Sequence, residues 1–128
     1  MEYHEFIKNV QEQAGCREKE EALRAIQATL ETLGERLFQG EAEHLAAQLP
    51  RELQPYLVDI QEHHKFEVDE FVEKVSSREG IDRMNAENHA KAVISVLCRA
   101  VSSGEIDDVI SQLPAGYRKL FGESQAFH

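Results

Sequence analysis

The sequence predicts an all-α fold, a tandem duplication of a four-helix unit with two longer and two short helices, packed about a pseudo-two-fold axis. Apolar residues recur at steps of three and four, the spacing that lines one side of a helix. No segment sustains the alternation of period two that marks a half-buried strand. The chain also matches itself, with segment 5–57 running parallel to segment 70–121.

The repeat has a definite register. At an offset of 65, Glu5, Phe6, Val10 and Gly15 fall on Glu70, Phe71, Val75 and Gly80. A one-residue deletion near position 82 changes the offset to 64, after which Ala28, Leu33, Gly40, Glu41, Gln48, Leu49 and Pro50 fall on Ala92, Leu97, Gly104, Glu105, Gln112, Leu113 and Pro114. The expected organisation is a single domain over 1–128. Repeat 1 covers about 3–58, a linker about 59–66, repeat 2 about 67–122, and a short C-terminal tail 123–128.

The first helix carries Phe6, Ile7, Val10 and Ala14, and Gly15 can stop it in the left-handed conformation. The second is the long one. Its stripe is Leu23, Ile26, Leu30, Leu33 and Leu37, and from about 18 to 39, closed by Gly40, it would be roughly 33 Å long. A short helix over about 41–48 buries Leu45 and Leu49. Pro50 then opens a fourth piece as its first helical residue, with Leu53, Tyr56 and Leu57 inside. In the second unit Phe71, Val72 and Val75 lead to Gly80, and Asp82 is placed to cap the next helix. That helix carries Ala86, Ala90, Val93, Leu97 and Val101 and closes at Gly104. Ile106, Val109, Ile110 and Leu113 belong to the short helix, and Tyr117, Leu120 and Phe121 to the last. Gly34 and its repeat partner Cys98 are both small, which predicts close approach of the two long helices at that level.

Composition narrows the function. The 128 residues hold 24 Asp+Glu against 14 Lys+Arg, a net charge of −10, with 41% apolar residues, two cysteines and no tryptophan. A chain of this length buries roughly 65–70% of its unfolded surface, so a real core is expected. The negative charge opposes non-specific nucleic-acid binding, which needs clustered Lys and Arg against phosphates, and opposes docking on anionic lipid. No apolar run approaches the roughly 20 residues of a spanning helix. Met1-Glu2-Tyr3-His4-Glu5 lacks the basic start of a signal peptide, and Cys16 with Cys98 makes no disulfide framework, so a cytoplasmic setting is expected.

The phrases Gly-Glu-Ala-Glu-His-Leu-Ala-Ala-Gln-Leu-Pro at 40–50 and Gly-Glu-Ile-Asp-Asp-Val-Ile-Ser-Gln-Leu-Pro at 104–114 carry a resemblance. With Glu-Phe-Ile-Lys-Asn-Val at 5–10, Asp-Glu-Phe-Val-Glu-Lys-Val at 69–75 and Pro-Ala-Gly-Tyr-Arg-Lys-Leu-Phe at 114–121, the chain resembles the bacterial domain-of-unknown-function 2267 family over nearly its whole length. The resemblance implies an all-helical duplicated fold in a prokaryotic protein. It brings no activity, cofactor or catalytic residue. Cys16-Arg17-Glu18-Lys19 departs from it in offering no Ser, Thr or Asp cap at the start of the first long helix.

Reactive groups are sparse. Glu62, His63 and His64 form the densest cluster of ligand-type side chains, and with Asp59 they are the weak candidates for a metal site. Adjacent histidines diverge on a helix, so a solvated linker is the plainer expectation. His89 borders an apolar stripe and is expected to be partly buried and bonded to a backbone carbonyl. Cys16 and Cys98 read as packing residues, with no motif partner to activate either. Gln48 and Gln112 are placed to cap backbone groups. The acids are dispersed along helices among Lys and Arg, and no acid pair stands in an apolar context as a catalytic dyad does. Arg51, Tyr56, Tyr117 and Arg118 are the expected groove or partner surface, because tyrosine and arginine concentrate in binding hot spots. The resulting expectation is a non-catalytic helical protein-interaction module without cofactor, binding an unknown protein partner or itself. The alternative is a small-molecule or metal-ion binder using the inter-repeat seam or the Glu62-His63-His64 linker.

Overall fold

The computed structural model describes residues 1–122, and the tail at 123–128 lies outside them. Eight α-helices and no strand are found among the described residues: α1 (Tyr3–Ala14), α2 (Lys19–Arg36), α3 (Gln39–Ala47), α4 (Gln54–Val58), α5 (Val68–Glu79), α6 (Arg83–Ala100), α7 (Ser103–Ser111) and α8 (Arg118–Phe121). A single 3-10 turn precedes α4 and another precedes α8. Helices α1, α2, α5 and α6 form the central group. There α1 packs on both α2 and α6, and α5 on both α6 and α2. Helix α3 packs on α7 and α4, while α8 lies on α6.

The periodic stripes supply the core, except that Leu23 is only half-buried at its edge. Ile26, Leu30, Leu33 and Leu37 are fully buried, as are Ala86, Ala90, Val93 and Leu97. Both long helices are buried over more than one stripe, because α2 packs against α1, α4, α5 and α6, and α6 against α1, α2, α5 and α8. Gly15 and Gly80 end α1 and α5 at φ 72° and 70°, a backbone region that glycine enters without Cβ strain. Asp82 sits at the N-cap position of α6, although its carboxylate accepts from the Asn85 side chain and caps no backbone N–H.

Several local expectations need correcting. Gly40 and Gly104 do not close the long helices. They lie in the first turns of α3 and α7, and α2 ends earlier, at Arg36. Pro50 and Pro114 stand at the cap position before a 3-10 turn, one residue ahead of the first helical position. Gly34 does mark a close approach, but to a different partner. A Cβ there would overlap the Leu57 carbonyl oxygen and lie 3.1 Å from Leu57 Cα, so the tight contact is between α2 and α4. Tyr117, expected on the surface, is fully buried, and its hydroxyl donates to the Phe66 carbonyl at 2.8 Å.

The linker is also no free strand of solvated chain. A helix leaves its last carbonyls without partners. Helix α2 lacks a terminal glycine cap, and the linker supplies the missing donors: His63 Nδ1 bonds the Gly34 carbonyl at 3.0 Å and the His64 backbone N–H donates to the Glu35 carbonyl at 2.9 Å. Phe66 follows into the core, and its carbonyl also accepts from Arg36 Nε at 2.8 Å.

Polar contacts join helices far apart in sequence. Glu35 receives Lys74 at 2.9 Å and Arg78 at 3.0 Å, tying α2 to α5. Burial works to raise the Glu35 carboxyl, but the bonds from Lys74 and Arg78 outweigh it and hold the group below the usual carboxylate range. Gln48, at the end of α3, accepts from the backbone N–H of Ser102, the N-cap of α7, at 2.8 Å. Gln112, at the end of α7, accepts from the backbone N–H of Phe38, the N-cap of α3, at 3.2 Å. Each short helix therefore caps the other.

Candidate functional site

A cleft of about 290 Å³ opens where the end of α2, the start of α3, the linker and the end of α7 meet. Its walls are Arg36, Leu37, Phe38, His63, His64, Lys65, Ser111 and Gln112. Among the described residues no carboxylate lines it. Phe38 is 60% exposed at the mouth, with Lys65 Nζ 5.8 Å from its ring centroid. Arg36 is an almost fully buried part of the wall, its guanidinium 5.9 Å from the Phe66 ring centroid and 5.6 Å from that of Tyr117. Arg36 therefore brings positive charge to the cleft from a fixed position, held by stacking and by the Phe66 carbonyl. Gln112 is fixed too, since its Nε2 donates to Glu41 Oε1 at 3.3 Å while Oε1 takes the Phe38 N–H.

Of the linker candidates, His63 and His64 line this cleft and Glu62 and Asp59 do not, and the two imidazoles do not converge. His63 turns Nδ1 to the α2 carbonyl, whereas His64 Nε2 faces Glu62 at 3.3 Å. Arg51 and Arg118 are exposed, Tyr56 is half-buried and Tyr117 is buried; none of the four lines the cleft. The side-chain groups that do converge lie elsewhere among the described residues: Cys16 with Glu21 and His89, and Glu41 with Glu105 and Asp108. His89 bonds a carboxylate, Glu79, at 2.8 Å and makes no bond to a backbone carbonyl. Burial first, and then Glu21, push the Cys16 thiol up to about 11, so it is a neutral thiol rather than a nucleophile.

Glu41 and Glu105 correct the expectation that no acid pair stands together in an apolar setting. Glu105 is buried, Oε2 of each residue lacks a hydrogen-bond partner, and burial followed by the bond to Glu41 pushes Glu105 up to about 8. At neutral pH Glu105 therefore keeps its proton.

Phe38 and Arg36 were missed in the sequence, although the repeat register holds a signal for both. Their matching positions are Ser102 and Ala100, so an aromatic stands where the other unit has a cap serine, and a cation where it has alanine. Among curated proteins, none matches the chain. Residues 3–120 match the model of the family described as Uncharacterized conserved protein (DUF2267), and with nearly the whole chain covered, the protein belongs to that family, whose function is uncharacterised.

Proposed function

We propose that this protein is a non-catalytic helical protein-interaction module of the bacterial cytoplasm, a single domain of two tandem four-helix units about a pseudo-two-fold axis. The tandem reading is supported by helix lengths that recur in order, 12, 18 and 9 residues in α1 to α3 and again in α5 to α7. The reciprocal caps of Gln48 and Gln112 support it as well. The observation that carries the interaction reading is the cleft. It gathers Arg36, His63, His64 and Lys65 beside an exposed phenylalanine, with no carboxylate among the described residues that line it. Such a surface fits a partner segment that presents a carboxylate next to an apolar side chain, with Phe38 as the apolar contact.

A second reading is a small anionic molecule in the same cleft. Its volume of about 290 Å³ stands at the lower end of the roughly 300–1,000 Å³ usual for ligand pockets. A photo-crosslinking residue in place of Ser111, on the rim, separates the two. The module reading expects a discrete protein adduct in cells, or a dimer of this chain, that disappears with Lys65→Glu. A retained small molecule in native mass spectrometry, without an adduct, replaces it by the second reading. Turnover in an activity panel that is lost on changing one polar residue sinks the non-catalytic reading.

A further inference from the structure

Away from the cleft, four polar side chains meet where α1, α2, α5 and α6 come together. Cys16 follows Gly15 in the α1–α2 turn, Glu21 stands in the first turn of α2, Glu79 ends α5, and His89 lies in α6. Ligand atoms of Cys16, Glu21 and His89 all lie within 4.8 Å of one another. His89 is only 5% exposed. Its Nδ1 is 2.8 Å from Glu79 Oε1 and its Nε2 is 3.5 Å from Glu21 Oε2.

The spacing of these donors is compatible with one shared metal ion. Two donors each about 2.1 Å from a tetrahedral ion sit about 3.4 Å apart, close to the separation of His89 Nε2 and Glu21. Metal-bound histidines usually donate their other ring N–H to a carboxylate, which fixes tautomer and orientation, and Glu79 stands in that place. The Glu79 side chain is 1% exposed and its Oε2 has no hydrogen-bond partner. Two carboxylates and a thiol thus surround one imidazole, and Arg24, farther along α2, offsets part of that charge.

Packing alone does not require the cluster. In the repeat register Cys16, Glu79 and His89 correspond to Ile81, Ala14 and Ala25, so the other half carries apolar residues at the matching positions. We infer that Cys16 Sγ, a Glu21 carboxylate oxygen and His89 Nε2 form a three-ligand site for a borderline divalent transition-metal ion of the zinc type, with Glu79 as the positioning residue. The mixed sulfur, nitrogen and oxygen donors suit that class of ion. On binding, the Cys16 thiol loses its proton to water. His89 coordinates as neutral imidazole and keeps Nδ1–H on Glu79. Glu21, with a side chain 37% exposed, lies on the solvent side, where water completes the fourth position. The inference is independent of the cleft and of what binds there.

The test uses the full chain made without a histidine tag, stripped with chelator and titrated with Co²⁺ alone. The wild type should bind one ion and show a thiolate-to-cobalt charge-transfer band, which Zn²⁺ then displaces. Cys98→Ala should keep the band and Cys16→Ala should lose it. Glu79→Gln should weaken binding about 10–100-fold, the usual effect of removing such a supporting carboxylate. Circular dichroism of each metal-free variant checks that it folds. Should Cys16→Ala fail to fold, the half-exposed Glu21→Gln carries the test, with a displaced band and weaker binding expected. Absence of the band in the wild type, its loss in Cys98→Ala, or affinities unchanged by both Glu21→Gln and Glu79→Gln would reduce the cluster to a buried histidine–carboxylate pair and overturn the inference.

Discussion

Gly34 sets two residue-scale effects against each other. Replacing glycine by alanine gains up to about 1 kcal/mol in a helix interior, and less in the last turn of α2, where Gly34 lies. At this position the new methyl group meets the backbone carbonyl of Leu57, which cannot rotate away as a side-chain tip could. Inserting a methyl into packed space costs about 1–3 kcal/mol, more when backbone must move. Packing wins, and Gly34→Ala should lower stability by a net ~1–2 kcal/mol, read as a lower denaturant midpoint at unchanged slope. A rise in the midpoint would mean that α4 yields easily and the contact is loose. The sequence signalled that something small was needed at 34, but not which backbone comes near, because that neighbour is set by the turn through Pro50 and Pro55 rather than by any helical period.

At the scale of elements, helix ends were the least legible part of the chain. Stripe residues such as Leu33 and Leu97 could be read directly, since burial follows the helical period. The end of α2 could not, because the groups that satisfy it arrive from the linker some 29 residues later. The Glu41–Glu105 pair and the Cys16–Glu21–His89 cluster were hidden for the same reason: each joins residues of both halves. The linker contacts separate the two adjacent histidines. The His63 side chain holds the Gly34 carbonyl, so His63→Ala should cost about 1 kcal/mol, the usual worth of such a bond. His64 uses its backbone N–H, so His64→Ala should stay within about 0.5 kcal/mol. Equal effects in thermal or urea unfolding would show that the linker is held by Phe66 alone.

For the whole molecule, pH dependence follows from buried carboxyls that act in opposite directions. Glu35 is held below its ordinary value, so its stabilising contribution is present above about pH 4.5 and is lost as pH falls through its folded value. Glu105 is raised to about 8, so its contribution is complete below about 4.5 and is lost as pH climbs through 8. Stability should therefore peak in mildly acidic solution and decline toward pH 8–9. A net charge of −10 would also weaken the fold at higher pH through general repulsion. Salt distinguishes the two causes. Repulsion between exposed charges is screened over about 10 Å at 0.1 M salt, whereas the buried Glu41–Glu105 contact is screened far less. With salt present, the alkaline decline should persist in the wild type and flatten in Glu105→Gln, which keeps the shape and removes the charge. That variant should melt at least ~3 °C above wild type near pH 8.5 and close to it near pH 5. If the decline instead vanishes in salt for the wild type, or survives unchanged in Glu105→Gln, the proton held between α3 and α7 is not what governs the alkaline limb.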